Sequence, residues 1–272
     1  MMKRLYDFVK TEKNKRLELE KLIQNEADLY RSKNKMNNQT RILIFDVETT
    51  GLLPTIPNDQ KNNHLSNLAL YPHIIQFSFI LYNLETRAIE RKHNFYINVP
   101  VDVPEKITEI TGITKQMCDE RGIPILLALD CFYECYTMAG CVIAHNLTFD
   151  ATMIRVELDR NRAEIDLKAH YCFNIFDAEF EKSHRIERFC TMRYGTNICN
   201  VMKAKESKDG KVTYYKKWPT LLEFHKHLFD TIPENLHNSI VDVLVCMRCY
   251  LKSYRKIEIA ELEFSNMMKM CI

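Results

Sequence analysis

The sequence predicts an α/β protein whose mixed β-sheet is flanked by helices, and three observations predict it. The run Arg41-Ile42-Leu43-Ile44-Phe45-Asp46 is apolar until it ends in charge, the composition of a strand buried on both faces and placed centrally in its sheet. Two further runs rich in β-branched and aromatic residues lie within 73–83 and 91–99. From Pro104 the apolar spacing turns helical, with short strand-like segments between the helical ones. Strands first and helices interleaved afterwards describe an α/β domain with a mixed sheet.

Taken in order, residues 3–35 contain no Gly or Pro, are dense in Lys, Glu, Leu and Arg, and space Leu17, Leu19, Leu22, Ile23 and Leu29 roughly as a helix does. A charged helical extension over 1–40 is expected, with Asn34 to Thr40 as a polar hinge. Such a helix either packs in solvent against its own domain or serves as an arm for nucleic acid or another partner. A long connection separates the first strand from His73–Asn83, which carries Ile74, Ile75, Phe77, Phe79, Ile80 and Leu81. Arg91–Val99 follows as its antiparallel neighbour across Asn83-Leu84-Glu85-Thr86.

Helices are expected at 104–110, 114–120 and 124–138, punctuated at Thr108–Thr114 and Gly122-Ile123-Pro124. Cys141-Val142-Ile143-Ala144 reads as a short strand, 147–161 as a helix, and Arg188–Met192 as another short strand. A helix over 219–230, opened by Pro219, and a helix over 238–254 close a domain spanning 41–255, with a helical tail over 256–272. Between Asn200 and Trp218 lies a polar stretch with six Lys against two acids and a turn at Asp209-Gly210. It is either a solvated flap or a positive segment that follows the phosphates of a single strand, with Tyr214, Tyr215 and Trp218 stacking bases or anchoring the loop.

With 272 residues, 46% hydrophobic and 27% charged, the chain can bury a sizeable core, which excludes disorder throughout. A net charge of +2 is no signature of a nucleic-acid coat protein or a basic membrane binder. The charge is nevertheless uneven: residues 1–41 hold eleven Lys and Arg against six Asp and Glu, a basic arm on a mildly acidic body. No apolar run approaches the ~18 residues of a membrane helix, and charges rather than an apolar core follow the start. Ten cysteines fall short of a disulfide scaffold and fit a reducing compartment. The expectation is an intracellular protein, cytoplasmic or nuclear, with no membrane partner.

Three segments carry chemistry. Side chains alternate along a strand, so Asp46 and Glu48 in Phe45-Asp46-Val47-Glu48-Thr49-Thr50-Gly51 project from one face at the strand's end. Carboxylates that close repel unless a cation lies between them, and hard oxygens on a rigid element suit Mg²⁺ or Mn²⁺. Standing alone, the pair also fits an acidic strand end in solvent. The second segment, Ile143-Ala144-His145-Asn146-Leu147-Thr148-Phe149-Asp150, runs from a strand into a helix with an acid near the turn. The third, Leu236-His237-Asn238-Ser239-Ile240-Val241-Asp242, places His five residues before Asp where an apolar helix begins. Five helical steps rotate by about 140°, so both reach one site only if His237 lies at or before the helix start.

Together and in this order, these segments resemble the motifs of the DEDDh 3′–5′ exonucleases, the proofreading-subunit family on the ribonuclease-H-like fold, over roughly 41–252. Cys190-Thr191-Met192 and Ile110-Thr111-Gly112-Ile113-Thr114 are similar to connecting segments of that family. The resemblance implies two divalent metal ions, Mg²⁺ or Mn²⁺, and hydrolysis of phosphodiester bonds from a free 3′ end with release of 5′-mononucleotides. It implies that Asp46 bridges both metals, that Glu48 and Asp242 complete the shell of the one holding the attacking water, and that Asp150 supports the second. His237 is the implied general base, Thr49 and Leu52 the implied lining of the terminal nucleotide, and Asn146 and Phe149 its support. The sister group with a catalytic tyrosine carries Tyr four residues before the final Asp, where Asn238 stands here. The chemistry is coherent, since two cations about 3.5–4 Å apart stabilise both the entering and the leaving oxygen of an in-line displacement.

Departures are Ser239 where a small Ala is usual, Thr111 where a His often precedes Gly-Ile-Thr, and a long 53–71 insertion beside the catalytic strand end. The leading reading is an exonuclease acting on a single-stranded or frayed DNA 3′ end. The alternatives are an exoribonuclease that trims RNA or degrades oligonucleotides, and a non-catalytic nucleic-acid-binding or polymerase-associated module. The complete acidic set argues against the last. The expected partner is a nucleic acid with a free 3′ end, and the N-terminal helix is a candidate tether to a polymerase or a replication or repair complex. Cys246 and Cys249 are expected to be buried helix residues, His225 and His227 to form no metal pair, and the Asn146-Leu147-Thr148 sequon to be unused.

Overall fold

The computed structural model describes residues 39–55, 68–206, 211–233 and 236–270. Most of the expected N-terminal helix, the middle of the 53–71 insertion and the Asp209-Gly210 turn lie outside the described residues. Five strands form the main sheet: β1 (Arg41–Thr49), β2 (Ile74–Asn83), β3 (Ala88–Tyr96), β4 (Cys141–Ala144) and β5 (Glu187–Cys190). Their order is β3-β2-β1-β4-β5, with β1, β2 and β3 antiparallel and β4 and β5 parallel to β1. The sheet is therefore mixed, with the continuously apolar β1 at its centre, as its composition predicts. The fold is ribonuclease-H-like α/β.

Alternation along β1 divides the core in two. Leu43, Phe45 and Val47 face one side with Phe77, Phe79 and Val142, and Ile42 and Ile44 face the other with Ile80, Tyr82 and Ile143. Chain order then gives α1 (Glu105–Thr111), α2 (Lys115–Arg121), α3 (Ile125–Met138), α4 (Leu147–Arg160), α5 (Arg162–Lys168) and α6 (Ala178–His184). The α3 and α4 helices cover the first face, where the Phe132 ring sits 5.3 Å from that of Phe45 and 5.0 Å from that of Phe77. Phe132→Ala is expected to lower unfolding stability by ~3–5 kcal/mol, read from the denaturant midpoint, because five surrounding rings cannot all collapse into the cavity.

The chain continues through α7 (Thr191–Cys199), a second, two-stranded sheet of β6 (Met202–Glu206) and β7 (Val212–Lys216), α8 (Leu221–Phe229), α9 (Ser239–Tyr250) and α10 (Glu261–Lys269). Helix α9 covers the second face, burying Ile240, Val241, Val243, Leu244 and Met247. Cys246 and Cys249 are buried in this helix, and His225 is buried with its ring nitrogens on the Thr231 carbonyl and Arg248. Phe264 of α10 is buried in the same cluster.

Several expectations change. The strand placed at 188–192 ends at Cys190, and α7 begins at Thr191. Helices α5 and α6 were not anticipated, and the Lys-rich stretch is a hairpin rather than a loop. Thr220, not Pro219, sets the start of α8: its hydroxyl accepts from Glu223 N–H while the Glu223 carboxylate accepts from Thr220 N–H, a capping box. The α-helical part of the last core helix stops at Tyr250 and widens into one π turn over Leu251–Arg255. No helix among the described residues is long and apolar enough to cross a membrane.

Candidate active site

The row Ile42, Ile44, Asp46, Glu48 runs along one face of β1, apolar under α9 and acidic where the strand emerges. Strand β4 ends at Ala144, three residues after it begins, so the N–H of Val47 has no strand partner on that side. Asp150 Oδ1 accepts it at 3.2 Å, from the first turn of α4. This bond draws the second acidic segment against the first, and Asp150 retains only 3% exposure.

The third segment arrives on α9. Its N-cap is Asn238, and His237 precedes the helix at φ 70, the left-handed region, so the ring and Asp242 approach one site, as the rotation argument requires. His237 N–H donates to Asp242 Oδ2 at 3.1 Å and fixes that approach. One ligand atom from each of Glu48, His237 and Asp242 lies within 4.8 Å of the other two. Ser239 locks the helix to the strand, its hydroxyl donating to the Asp46 carbonyl at 2.8 Å.

Burial raises all four carboxyl groups, and repulsion from neighbouring acids adds to the rise at Glu48, Asp150 and Asp242. Desolvation pushes Asp46 up to about 7, offset in part by the Ser239 hydroxyl, and raises Asp150 well above the carboxylate range, helped by the Asp46 charge. Burial and then the charges of Asp46 and Asp242 push Glu48 up to about 9, and burial and the Asp46 charge push Asp242 up to about 8. The Oδ2 atom of Asp46 is sealed from solvent without a hydrogen-bond partner. An orphaned carboxylate oxygen amid three more acids is the setting a divalent cation satisfies, and the hard oxygen set suits Mg²⁺ or Mn²⁺.

A consequence for stability follows from the sign of these shifts. Each acid binds its proton more tightly when folded than when unfolded, so stability is fully present below the ordinary carboxylate range and is lost as pH rises through about 7–9. A cation bound to the folded state removes that penalty. Adding Mg²⁺ or Mn²⁺ is expected to raise Tm more at pH 9 than at pH 5, and differential scanning fluorimetry with and without chelator reads it directly.

The expected nucleotide-lining residues fall in two groups. Asn146, at φ 70, caps α4, and the half-buried Phe149 packs on the first core cluster one residue before Asp150. Thr49 is buried, with its hydroxyl donating to the Gly51 carbonyl at 2.6 Å, whereas Leu52 stands out at 86% exposure. Sequence reasoning missed the polar support beneath the acids. Gln76 is 1% exposed and opposite Glu48 in the β1–β2 ladder; its amide donates to Asn94 and Asn238 and its Oε1 accepts from Ser239 N–H. The available signal was Gln76 and Ser78 interrupting an otherwise apolar strand. His145 was also missed as a brace: its ring nitrogens lie 3.0 Å from Thr191 Oγ1 and 3.1 Å from the Pro219 carbonyl, and burial lowers it to about 4, keeping it neutral.

A ribonuclease-H-like sheet with acids converging at the end of its central strand defines the class. The chain belongs to the exonuclease family whose sequence model, RNase_T, matches residues 43–250. Among solved structures, it is similar to Escherichia coli Exonuclease I in complex with a dA16 oligonucleotide, with 17% identity, TM-score 0.51, and coverage of 85% of this chain and 43% of that one. The complex of the same enzyme with a 5cy-dT13 oligonucleotide gives 18% identity, TM-score 0.53 and the same coverage. The zinc-bound form of its complex with single-stranded DNA gives 17%, 0.51 and again 85% and 43%. At this identity the likeness is one of fold, and the chain spans less than half the length of those proteins. Curated protein sequences contain no match.

Proposed function

We propose that this protein is a metal-dependent 3′–5′ exonuclease that hydrolyses phosphodiester bonds from the 3′ end of single-stranded or frayed DNA and releases 5′-mononucleotides. The observation that carries the reading is the convergence of Asp46, Glu48, Asp150 and Asp242, drawn from β1, α4 and α9, with His237 at its open edge. Membership of the exonuclease family and the oligonucleotides bound by its structural neighbours support it.

Asp46, Glu48, Asp150 and Asp242 would hold two divalent ions, which supply charge neutralisation of the phosphate and of the entering and leaving oxygens. The Asp46 charge acts on Glu48, Asp150 and Asp242 alike, which suits a ligand shared between the two ions. His237 is exposed, so its ring can take the proton of the incoming water and release it to solvent. Its N–H bond to Asp242 holds the ring's backbone in place during that transfer. Asn146 and Phe149, beside Asp150, and Thr49 and Leu52, beyond Glu48, would flank the terminal nucleotide.

The test is a time course on matched 3′- and 5′-labelled DNA and RNA oligomers in Mg²⁺, in Mn²⁺ and in chelator. Stepwise metal-dependent shortening from the 3′ end of DNA is the expected result. Shortening of RNA alone would replace the substrate with RNA, and no shortening of any strand with binding intact would overturn the enzymatic reading.

A further inference from the structure

The hairpin of β6 and β7 lies apart from the acids yet is tied to them. Its base is closed by Lys217 N–H donating to the Val201 carbonyl at 2.8 Å. Two residues on, the Pro219 carbonyl rests on His145, which immediately precedes Asn146 and the helix that carries Asp150. From that anchored base, two strands of five residues extend by roughly 17 Å.

Every residue of both strands is exposed. The register sets Lys203 opposite Tyr215 and Lys205 opposite Thr213 on one face, with Met202 opposite Lys216 and Ala204 opposite Tyr214 on the other. Tyr214 is 71% exposed, Tyr215 46%, and Trp218, just past the base, 60%. These rings stand largely open to solvent, which favours the stacking role of the two the sequence left open. A two-stranded ribbon has little stability of its own, and rings standing in water add none, so their use lies in something that docks. Lysine is depleted at the centres of protein–protein interfaces, whereas lysines interleaved with exposed rings are the composition of a surface that holds a polynucleotide strand.

We infer that the hairpin is a grip for single-stranded nucleic acid. Lys203 and Lys205 meet the phosphates, and Tyr215 on the same face, with Trp218 just past the base, stacks bases upstream of the 3′ end. Every base has a π-face and every nucleotide a phosphate, so the grip is indifferent to sequence. The placement of the 3′ end at the acids rests on the nuclease reading above; the grip itself does not.

Two double variants test it, Lys203→Glu with Lys205→Glu and Tyr215→Ala with Trp218→Ala, each expected to keep the wild-type Tm because no altered side chain is buried. Binding is measured in chelator to a labelled single strand of about twenty nucleotides, and cleavage in Mg²⁺ on that strand and on a dinucleotide too short to reach the hairpin. Affinity for the long strand is expected to fall about tenfold or more in each variant, with dinucleotide cleavage unchanged. The salt dependence of binding should shallow by roughly 0.7 per lost phosphate contact in the Lys variant, and Lys203→Arg with Lys205→Arg should restore it. Unchanged long-strand affinity, an equal loss on both substrates, or self-association through the hairpin that the aromatic variant abolishes would overturn the grip. If the wild type cleaves neither substrate while the variants still lose strand binding, the nuclease reading fails and the grip stands. Normal cleavage with undiminished variant binding fails the grip alone.

Discussion

Asp46→Asn is expected to reduce strand shortening by at least about a thousandfold while leaving the fold intact and, without metal, more heat-stable above neutral pH. The activity loss follows from the position of Asp46 among the other three acids, where it is the natural shared ligand; removing several kcal/mol of charge stabilisation at the phosphate costs decades in rate. The stability gain follows from its environment. The carboxyl is pushed up to about 7, so above that pH the folded protein holds a charge with a sealed, unpartnered Oδ2. The amide keeps the shape and removes the charge. Stability of the native protein is lost as pH rises through about 7, so the variant's advantage in Tm should be small at pH 5 and larger at pH 9. The same substitution should erase most of the Tm rise that Mg²⁺ gives the native protein. Full activity in Asp46→Asn would sink the carboxylate assignment, and an unchanged metal response would place the cation elsewhere.

What could be read in the sequence follows from which constraints are local. The central strand was legible because burial on both faces leaves no polar position until the strand emerges, and the acids were legible because they mark that emergence. Helical rotation set the condition that His237 lie at or before the helix start to share a site with Asp242, and the structure puts it before α9 at φ 70. Helix α7 was not legible. Its sequence, Thr191 to Cys199, holds Thr, Asn and Gly and has weak helix propensity; it forms because packing overrides propensity. Gly195 shows how, since a Cβ there would stand 3.1 Å from the Phe224 ring, so α8 approaches only because the side chain is absent. The hairpin was hidden for a different reason: the residues of both its strands are exposed, so no buried face leaves an apolar alternation in the sequence. Gln76 and His145 were hidden because their partners come from segments distant in the chain, Asn238 and Ser239 for one, Thr191 and Pro219 for the other.

Replacing His237 is expected to separate chemistry from architecture, because its ring and its backbone do different work. If the ring takes the water's proton, its removal costs about 10²–10⁴ in kcat, with KM and strand binding in chelator little changed. The backbone contributes the N–H that Asp242 accepts and adopts φ 70, which glycine reaches freely and alanine does not. His237→Ala keeps the left-handed strain that His237 already bears and should therefore stay near the wild type in Tm, whereas His237→Gly relieves it and should exceed the alanine variant by up to about 1 kcal/mol. Both variants keep the N–H to Asp242 and both lose the ring. Equal loss of kcat in the two, despite unequal Tm, would assign the catalytic role to the imidazole. A glycine variant that retained kcat would assign it instead to the backbone that positions Asp242, and the water's proton would then leave by a route other than the imidazole.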